Sequence, residues 1–283
     1  LHFGSNLSRA GSEAIIRSAY VVLAIGTELA EVDIWRPELG HAGTFIRVDI
    51  DPVMLTSRPR TDVAVCADAG ATLFVLADEI QRESPTKWTA TEVAQARAGW
   101  RAEIEAERPG LPRIVDTVRA AMPDDAMMYS DMTGFAYAAK DVWSMKRAGH
   151  WHHPYGFGTL GYALPASIGG AVARKGLPTV CIIGDYGLQY TIAELGTAVE
   201  LGLPLAIILW DNGKLGEIED SMISAQIAPN AVIQRNPDFL ALAKAYGAHA
   251  VQPSTLADIG PALDAAFKAN VPTVIRLTPA LIG

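Results

Sequence analysis

Two uninterrupted apolar runs, Thr179–Ile183 and Pro204–Trp210, constrain the fold of this chain more than any other feature. Neither alternates polar with apolar residues, so both read as strands buried on two faces, as in parallel sheets covered by helices. A helix-like stretch from Gln189 to Leu201 joins them. Together they form one βαβ unit, whose right-handed crossover leaves the strands parallel. The strand ends read Gly184-Asp185-Tyr186-Gly187 and Asp211-Asn212-Gly213. Open α/β sheets bind ligands at such carboxyl ends. Glycines at 184 and 187 let the backbone approach an anion, and the N–H groups opening the next helix can hold phosphate oxygens. One carboxylate, Asp185, and one amide oxygen, from Asn212, suit Mg²⁺, which takes few protein ligands and shares its octahedron with phosphate and water.

The same alternation runs through the rest of the chain. Ser12–Ser18 reads as a helix, Tyr20–Ile25, Phe45–Ile50 and Val63–Val65 as strands, and Ala69–Gln81 as a helix. Further on, helices are expected at Leu111–Met122, Tyr162–Arg174 and Asp238–Tyr246, and strands at Ala126–Tyr129 and Thr273–Leu277. Between these parts, Ser-Pro-Thr, the charged stretch Gln95–Arg108 and Pro109-Gly110 read as a linker carrying an exposed helix. The expected fold is therefore α/β, with two doubly wound domains of mostly parallel sheets. Residues 1–85 are expected to belong to one domain, 86–110 to the linker and 111–283 to the second domain.

Composition closes off other classes. Of 283 residues, 50% are hydrophobic and 19% charged, which indicates a globular chain. Cys66 and Cys181 lie in apolar surroundings far apart, and read as buried thiols with no disulfide framework or zinc site. No apolar run reaches the roughly 18 residues that a membrane span needs. With no signal peptide at the start, a cytoplasmic location is the default expectation. The net charge of −8 and scattered cations argue against nucleic acid as a partner. The chain opens on Leu1-His2-Phe3, not Met, and reads as part of a longer protein.

The two strand ends resemble the thiamine-diphosphate (ThDP)-dependent 2-oxo-acid decarboxylase and acetolactate synthase superfamily, in which a G-D-G motif is followed at a fixed gap by N-N. Asp185 and Asn212 stand 27 positions apart, as in that family, and Glu194-Leu195-Gly196-Thr197-Ala198 resembles its intervening helix. The segment Gly156–Gly169 resembles the family's G-x-G-[ST]-[MLI]-G-x-x-x-P-A-A-I-G stretch. More loosely, Val21–Leu29 and Ile46–Pro52 resemble the end of its central domain, which binds FAD or an adenine nucleotide in some members and nothing in others. Here Gly26-Thr27 also reads as a plain strand-to-helix turn.

The resemblance implies cofactor contacts from Gly158, Thr159, Leu160, Gly184, Asp185, Tyr186, Gly187, Asn212, Leu215 and Gly216. Asp185 and Asn212 become side-chain Mg²⁺ ligands, with Lys214 supplying a backbone carbonyl. Leu160 becomes the wedge that bends ThDP, and the Gly158 carbonyl accepts from the aminopyrimidine. Tyr186 replaces a family glycine and is expected to crowd the diphosphate. Asp211 replaces an asparagine and is expected to add negative charge beside the metal. His153, Glu217 and Asp220 are candidate substrate contacts, although a histidine pair such as His152-His153 is more often surface or core, and an acidic cluster more often a solvated helix face. Trp143 and Trp151 read as packing residues.

By the same resemblance the reaction is non-oxidative decarboxylation of a 2-oxo acid, with ThDP and Mg²⁺ as cofactors. The glutamate that activates the aminopyrimidine belongs to an N-terminal domain, so no catalytic residue is expected in this chain. The site is expected between subunits of a homodimer or homotetramer. Three segments, around Leu160, Tyr186 and Glu217, look most like 5-guanidino-2-oxopentanoate (2-ketoarginine) decarboxylases, whose cationic substrate suits an acidic pocket. An acetolactate-synthase-like carboligase and a non-catalytic cofactor-binding or regulatory piece are the alternatives.

Overall fold

In the computed structural model, which describes residues 2–80, 88–233 and 235–282, the chain divides into two compact units, Leu1–Glu103 and Ile104–Gly283. The first unit runs α1 (Ala10–Ser18), β1 (Val21–Ile25), α2 (Glu31–Ile34), β2 (Thr44–Asp49), α3 (Pro52–Thr56), β3 (Val63–Cys66) and α4 (Ala69–Glu79). Its three strands pair in parallel in the order β1-β2-β3. Asp51 and Asp68 start α3 and α4 by accepting the N–H groups of Val53 and Ala71, both at 2.8 Å. The core is small: Ala24, Leu29, Ile34, Leu39 and Phe45.

Two expectations need correction here. Cys66 is exposed, because it ends a strand at the sheet edge; Cys181 alone is the buried thiol. The charged linker helix is α5 (Ala90–Glu107), and it is not simply exposed: Val93, Trp100 and Ile104 are buried. A charged sequence hid three inward-facing residues spaced by seven and four. The residues expected to join α4 to that helix, 81–87, lie outside the described residues.

The second unit continues with α6 (Leu111–Ala121), β4 (Met127–Ser130), α7 (Gly134–Val142), β5 (Trp151–His152), α8 (Ala163–Ala173), β6 (Thr179–Gly184), α9 (Asp185–Thr191), α10 (Glu194–Glu200), β7 (Ala206–Trp210), α11 (Gly216–Ser224), α12 (Phe239–Ala245), β8 (His249–Val251), α13 (Ile259–Lys268) and β9 (Thr273–Leu277). Six parallel strands follow the order β5-β4-β6-β7-β9-β8. Strands β6 and β7 are buried nearly throughout, as their unbroken apolar runs require. The single helix expected over Gln189–Leu201 is instead two. Backbone angles stay helical at Ile192 and Ala193, but Leu195 and Gly196 bond three residues back, to Ile192 and Ala193. At the end of α9 the Thr191 hydroxyl donates to the Gly161 carbonyl at 3.2 Å.

Alternate residues of β6 divide between two cores. Val180 and Ile182 pack with residues of α6, α7 and α13; Cys181 and Ile183 pack with residues of α8, α10 and α12. The helix after β4 therefore covers one face and the helices after β6 the other. The carboxyl ends of β4 and β6 thus form a topological switch point, where such sheets open a crevice.

Candidate cofactor and metal site

Three adjacent strands end on an aspartate: β4 on Asp131, β6 on Asp185 and β7 on Asp211. All three are buried, and each is held by different donors.

Asp185 accepts the Tyr186 N–H on Oδ1 at 2.9 Å, and the Gly213 N–H and Asn236 Nδ2 on Oδ2 at 2.8 and 2.7 Å. The Gly213 bond brings the two predicted strand ends together. Burial pushes the Asp185 carboxyl above its ordinary range, against the pull of its three donors. A carboxylate offers about four acceptor positions, so three donors leave room for one cation. Asn212 Oδ1 accepts only a long contact, 3.4 Å, from the Lys214 N–H. The backbone of Lys214 pairs with Ile233 in an isolated bridge, while its ammonium reaches Glu219 at 2.6 Å. Carboxylate, amide and carbonyl oxygens are the hard donors that Mg²⁺ takes, so these residues fit that ion. Among the described residues no cluster of three His, Cys, Asp or Glu offers a rival metal site.

Two departures from the family motif are resolved by the structure. Asp211 does not add an open charge: Arg276 meets its Oδ2 through Nε at 2.7 Å and Nη2 at 2.6 Å, and Asn236 donates to Oδ1 at 2.8 Å. The guanidinium, with two N–H groups on one oxygen, neutralises the carboxylate. Tyr186 is buried, and its hydroxyl donates to the Val232 carbonyl at 3.2 Å, so the ring is packed inside the protein.

The glycines also turn out to serve the protein itself. A side chain on Gly187 would fall on Asp131 Oδ2, and one on Gly184 would meet Thr133 Oγ1 at 3.0 Å. Asp131 in turn accepts the N–H groups of Gly161 and Ala163, both at 2.7 Å, with the Tyr162 N–H also contributing. Burial pushes its carboxyl up to about 6. Gly158 and Gly161 adopt left-handed backbone, with φ of 61° and 87°, which explains why the turn carrying Leu160 needs glycine on both sides. Gly158 and Thr159 are exposed and Leu160 half-buried. Leu215 is anchored by its N–H to the Val232 carbonyl at 2.9 Å, and Gly216 opens α11.

The candidate substrate residues divide. His153 is half-buried: Nδ1 lies 2.8 Å from Ser130 Oγ, and Nε2 lies 3.4 Å from Lys140 Nζ. Burial, reinforced by Lys140, pushes the imidazole down to about 3, so it is neutral near pH 7. Tyr137 stands edge-on to it with ring centroids 6.4 Å apart. Arg108 lies 5.9 Å from the Tyr137 ring centroid and pairs with Glu217 at 2.7 Å. Burial, then Glu217, push the Tyr137 hydroxyl up to about 12. His153 and Glu217 are thus linked through Tyr137 and Arg108, while Asp220 is exposed on α11. The acidic cluster is not a free anionic face, since Arg108 and Lys214 take Glu217 and Glu219. Trp143 and Trp151 pack edge-on at 5.3 Å.

Sequence reasoning missed Asp131, Asn236, Arg108 and Arg276. Asp131 had a readable signal, an aspartate at a strand end like Asp185 and Asp211. Asn236, in an irregular segment between α11 and α12, had none.

Comparison with known proteins gives a consistent picture. The family described as "Thiamine pyrophosphate enzyme, C-terminal TPP binding domain" matches residues 131–277, more than half of the chain. A probable 2-ketoarginine decarboxylase, AruI, from Pseudomonas aeruginosa is 39% identical over 279 residues, covering 98% of this chain and 50% of the relative. The acetolactate synthase isozyme 3 large subunit of Escherichia coli is 27% identical over 74% of this chain and 38% of its own length. Among solved structures, a thiamine diphosphate-dependent 4-hydroxybenzoylformate decarboxylase from Rhodococcus jostii superimposes with a TM-score of 0.75 at 23% identity, covering 94% of this chain and 50% of the other; this supports the fold. The chain spans half or less of the length of these proteins.

Proposed function

Because the chain belongs to the thiamine pyrophosphate enzymes, through their C-terminal TPP-binding domain, we propose that it is the cofactor-holding half of a 2-oxo-acid decarboxylase acting on 2-ketoarginine. The 39% identity to the probable 2-ketoarginine decarboxylase across 98% of the chain carries this reading. When bound, ThDP supplies a nucleophilic carbon and an electron sink for loss of CO₂ from a 2-oxo acid.

The chain's own residues hold and orient. Asp185, Asn212 and the Lys214 carbonyl are the proposed Mg²⁺ ligands, with Asn236 fixing the Asp185 carboxylate. Tyr186, Gly184, Gly187, Leu215 and Gly216 shape the diphosphate end, and Gly158, Thr159 and Leu160 the ring end. His153 enters as a neutral imidazole with Lys140 beside it, which suits a contact to the substrate carboxylate. Glu217, with Asp220 on the same helix, is the proposed partner of the substrate guanidinium. Arg108 on Glu217, beside the Tyr137 ring, already shows a guanidinium held by that carboxylate. The reaction is completed by a glutamate from outside this chain, in a homodimer or homotetramer with the site between subunits. Exposure of Phe157 at 97%, beside the cofactor turn, supports a partner surface there.

The test is CO₂ release by the full gene product from 2-ketoarginine and from pyruvate, with ThDP and Mg²⁺. A higher kcat/KM for 2-ketoarginine supports the proposal; a clear preference for pyruvate contradicts it. Release of acetolactate from pyruvate would favour the carboligase reading, which the similarity to acetolactate synthase over 74% of the chain keeps in play.

A further inference from the structure

At the carboxyl ends of β4 and β6, Asp131 is a buried acid with no part in the proposed metal binding or substrate contacts. Its side chain is completely buried, and it faces two segments that are far apart in sequence. On one side Oδ2 and Oδ1 accept the N–H groups of Gly161 and Ala163 at 2.7 Å each. On the other, Oδ2 fills the space that a Gly187 side chain would need, in the first turn of α9. A methyl group there would also come within 3.3 Å of the Gly161 nitrogen. Thr191, at the end of the same helix, donates to the Gly161 carbonyl at 3.2 Å. Both polar atoms of the Gly161 peptide are therefore held by side chains, and Leu160 immediately precedes it.

We propose that Asp131 is a positioning residue: it locks the 158–163 turn, and with it Leu160, onto the helix that follows Asp185, so that the ring end and the diphosphate end of the cofactor site keep a fixed separation. This rests on the cofactor reading above. A short, charge-assisted carboxylate clamp on successive N–H groups is strong and directional, which a hydrophobic contact to a glycine turn cannot be. The requirement for glycine at 187 follows from the same contact, not only from closeness to phosphate.

The inference separates two ligands that share a diphosphate. In the full gene product, Asp131→Asn keeps the shape but turns an acceptor into a donor facing the turn. Gly187→Ala pushes on the same carboxylate from the opposite side. Both variants are expected to weaken Mg²⁺-dependent ThDP binding by about tenfold or more, as the loss of charged hydrogen bonds implies. In Asp131→Asn, binding of inorganic pyrophosphate with Mg²⁺ should stay within about twofold, because Asp185 and Asn212 are untouched. Hydrogen exchange at the amides of residues 161 and 163 should accelerate in Asp131→Asn while exchange in β6 and β7 does not. In Asp131→Asn, equal losses for ThDP and pyrophosphate, or wild-type ThDP affinity with unchanged exchange, would overturn the proposal. If Asp131→Asn does not fold, Gly187→Ala decides by exchange: faster exchange than wild type at the amides of residues 161 and 163 supports the lock, and wild-type exchange there overturns it. A wild type that bound neither ligand would instead overturn the cofactor reading, and this inference with it.

Discussion

The two sheets of this chain are built alike, from parallel strands alternating with helices, yet they treat buried charge in opposite ways. In the six-stranded sheet, three aspartates are buried at strand ends, and each meets N–H donors or a guanidinium. In the three-stranded sheet the buried charge is Arg47, completely enclosed in β2. Its guanidinium donates to the carbonyls of Thr27 and Glu28 at 3.0 and 2.8 Å and to Ser57 at 2.9 Å. The arginine ties down a turn with neutral acceptors, a structural use of charge. The aspartates sit at the carboxyl ends of strands, and Asp185 keeps acceptor capacity for a cation. Buried charge marks a functional site when it lies at a switch point with capacity left over. The difference extends to packing: α4 buries no residue, while α7 buries four.

The most forceful way to break this comparison is to truncate one phenylalanine on each side. Phe135 is completely buried and Phe74 is 79% exposed. Phe135→Ala should cost about 3–5 kcal/mol, and Phe74→Ala less than about 0.5 kcal/mol, in denaturant unfolding. Similar costs would mean that α4 is covered in solution. Next comes Asp185→Ala, expected to weaken Mg²⁺·ThDP binding by about a hundredfold, whereas Arg47→Met should leave that affinity within about twofold. A large effect of Arg47→Met would remove the distinction between structural and functional charge.

A smaller effect is the pH dependence of stability. The folded His153 value, about 3, lies below its ordinary 6.5, so its contribution is present above pH 6.5 and is lost as pH falls toward 3. The Asp131 value, about 6, lies above its ordinary 3.8, so its contribution is present below pH 3.8 and is lost as pH rises through 6. The two oppose each other between about pH 4 and 6. Relative to wild type, His153→Gln should lose stability with rising pH across that window and Asp131→Asn should gain it. The changes should be of order 1–3 kcal/mol, read from melting curves at fixed salt. Parallel slopes would refute the assigned shifts. Smallest of all, Glu217→Gln should change stability by less than about 1 kcal/mol, because the Arg108 pair is partly exposed. Its KM for 2-ketoarginine should nonetheless rise several-fold at similar kcat, since a held guanidinium is uniform binding.

The fold was largely legible because β6 and β7 are buried on both faces, which leaves an apolar run that only a covered parallel sheet explains. The short β5 and β8 were not: two and three residues carry no period. Helix α7 was hidden by its glycine start and small residues, and the buried face of α5, though not the helix itself, by charges that outnumber its three buried positions. At the site, residues with a fixed local spacing, such as Asp185 and Asn212, were readable. Partners that arrive from elsewhere in the chain, such as Asn236 on Asp185 and Arg276 on Asp211, were not, because their role exists only once the strands are side by side.

The central claim is that the ends of β6 and β7 hold the diphosphate of ThDP through Mg²⁺. Calorimetric titration of the full gene product with ThDP, with and without Mg²⁺, in wild type and Asn212→Ala, tests it directly. The account expects wild-type binding that requires Mg²⁺ and falls by at least about tenfold in Asn212→Ala. Binding that ignored Mg²⁺, or an Asn212→Ala variant indistinguishable from wild type, would contradict it.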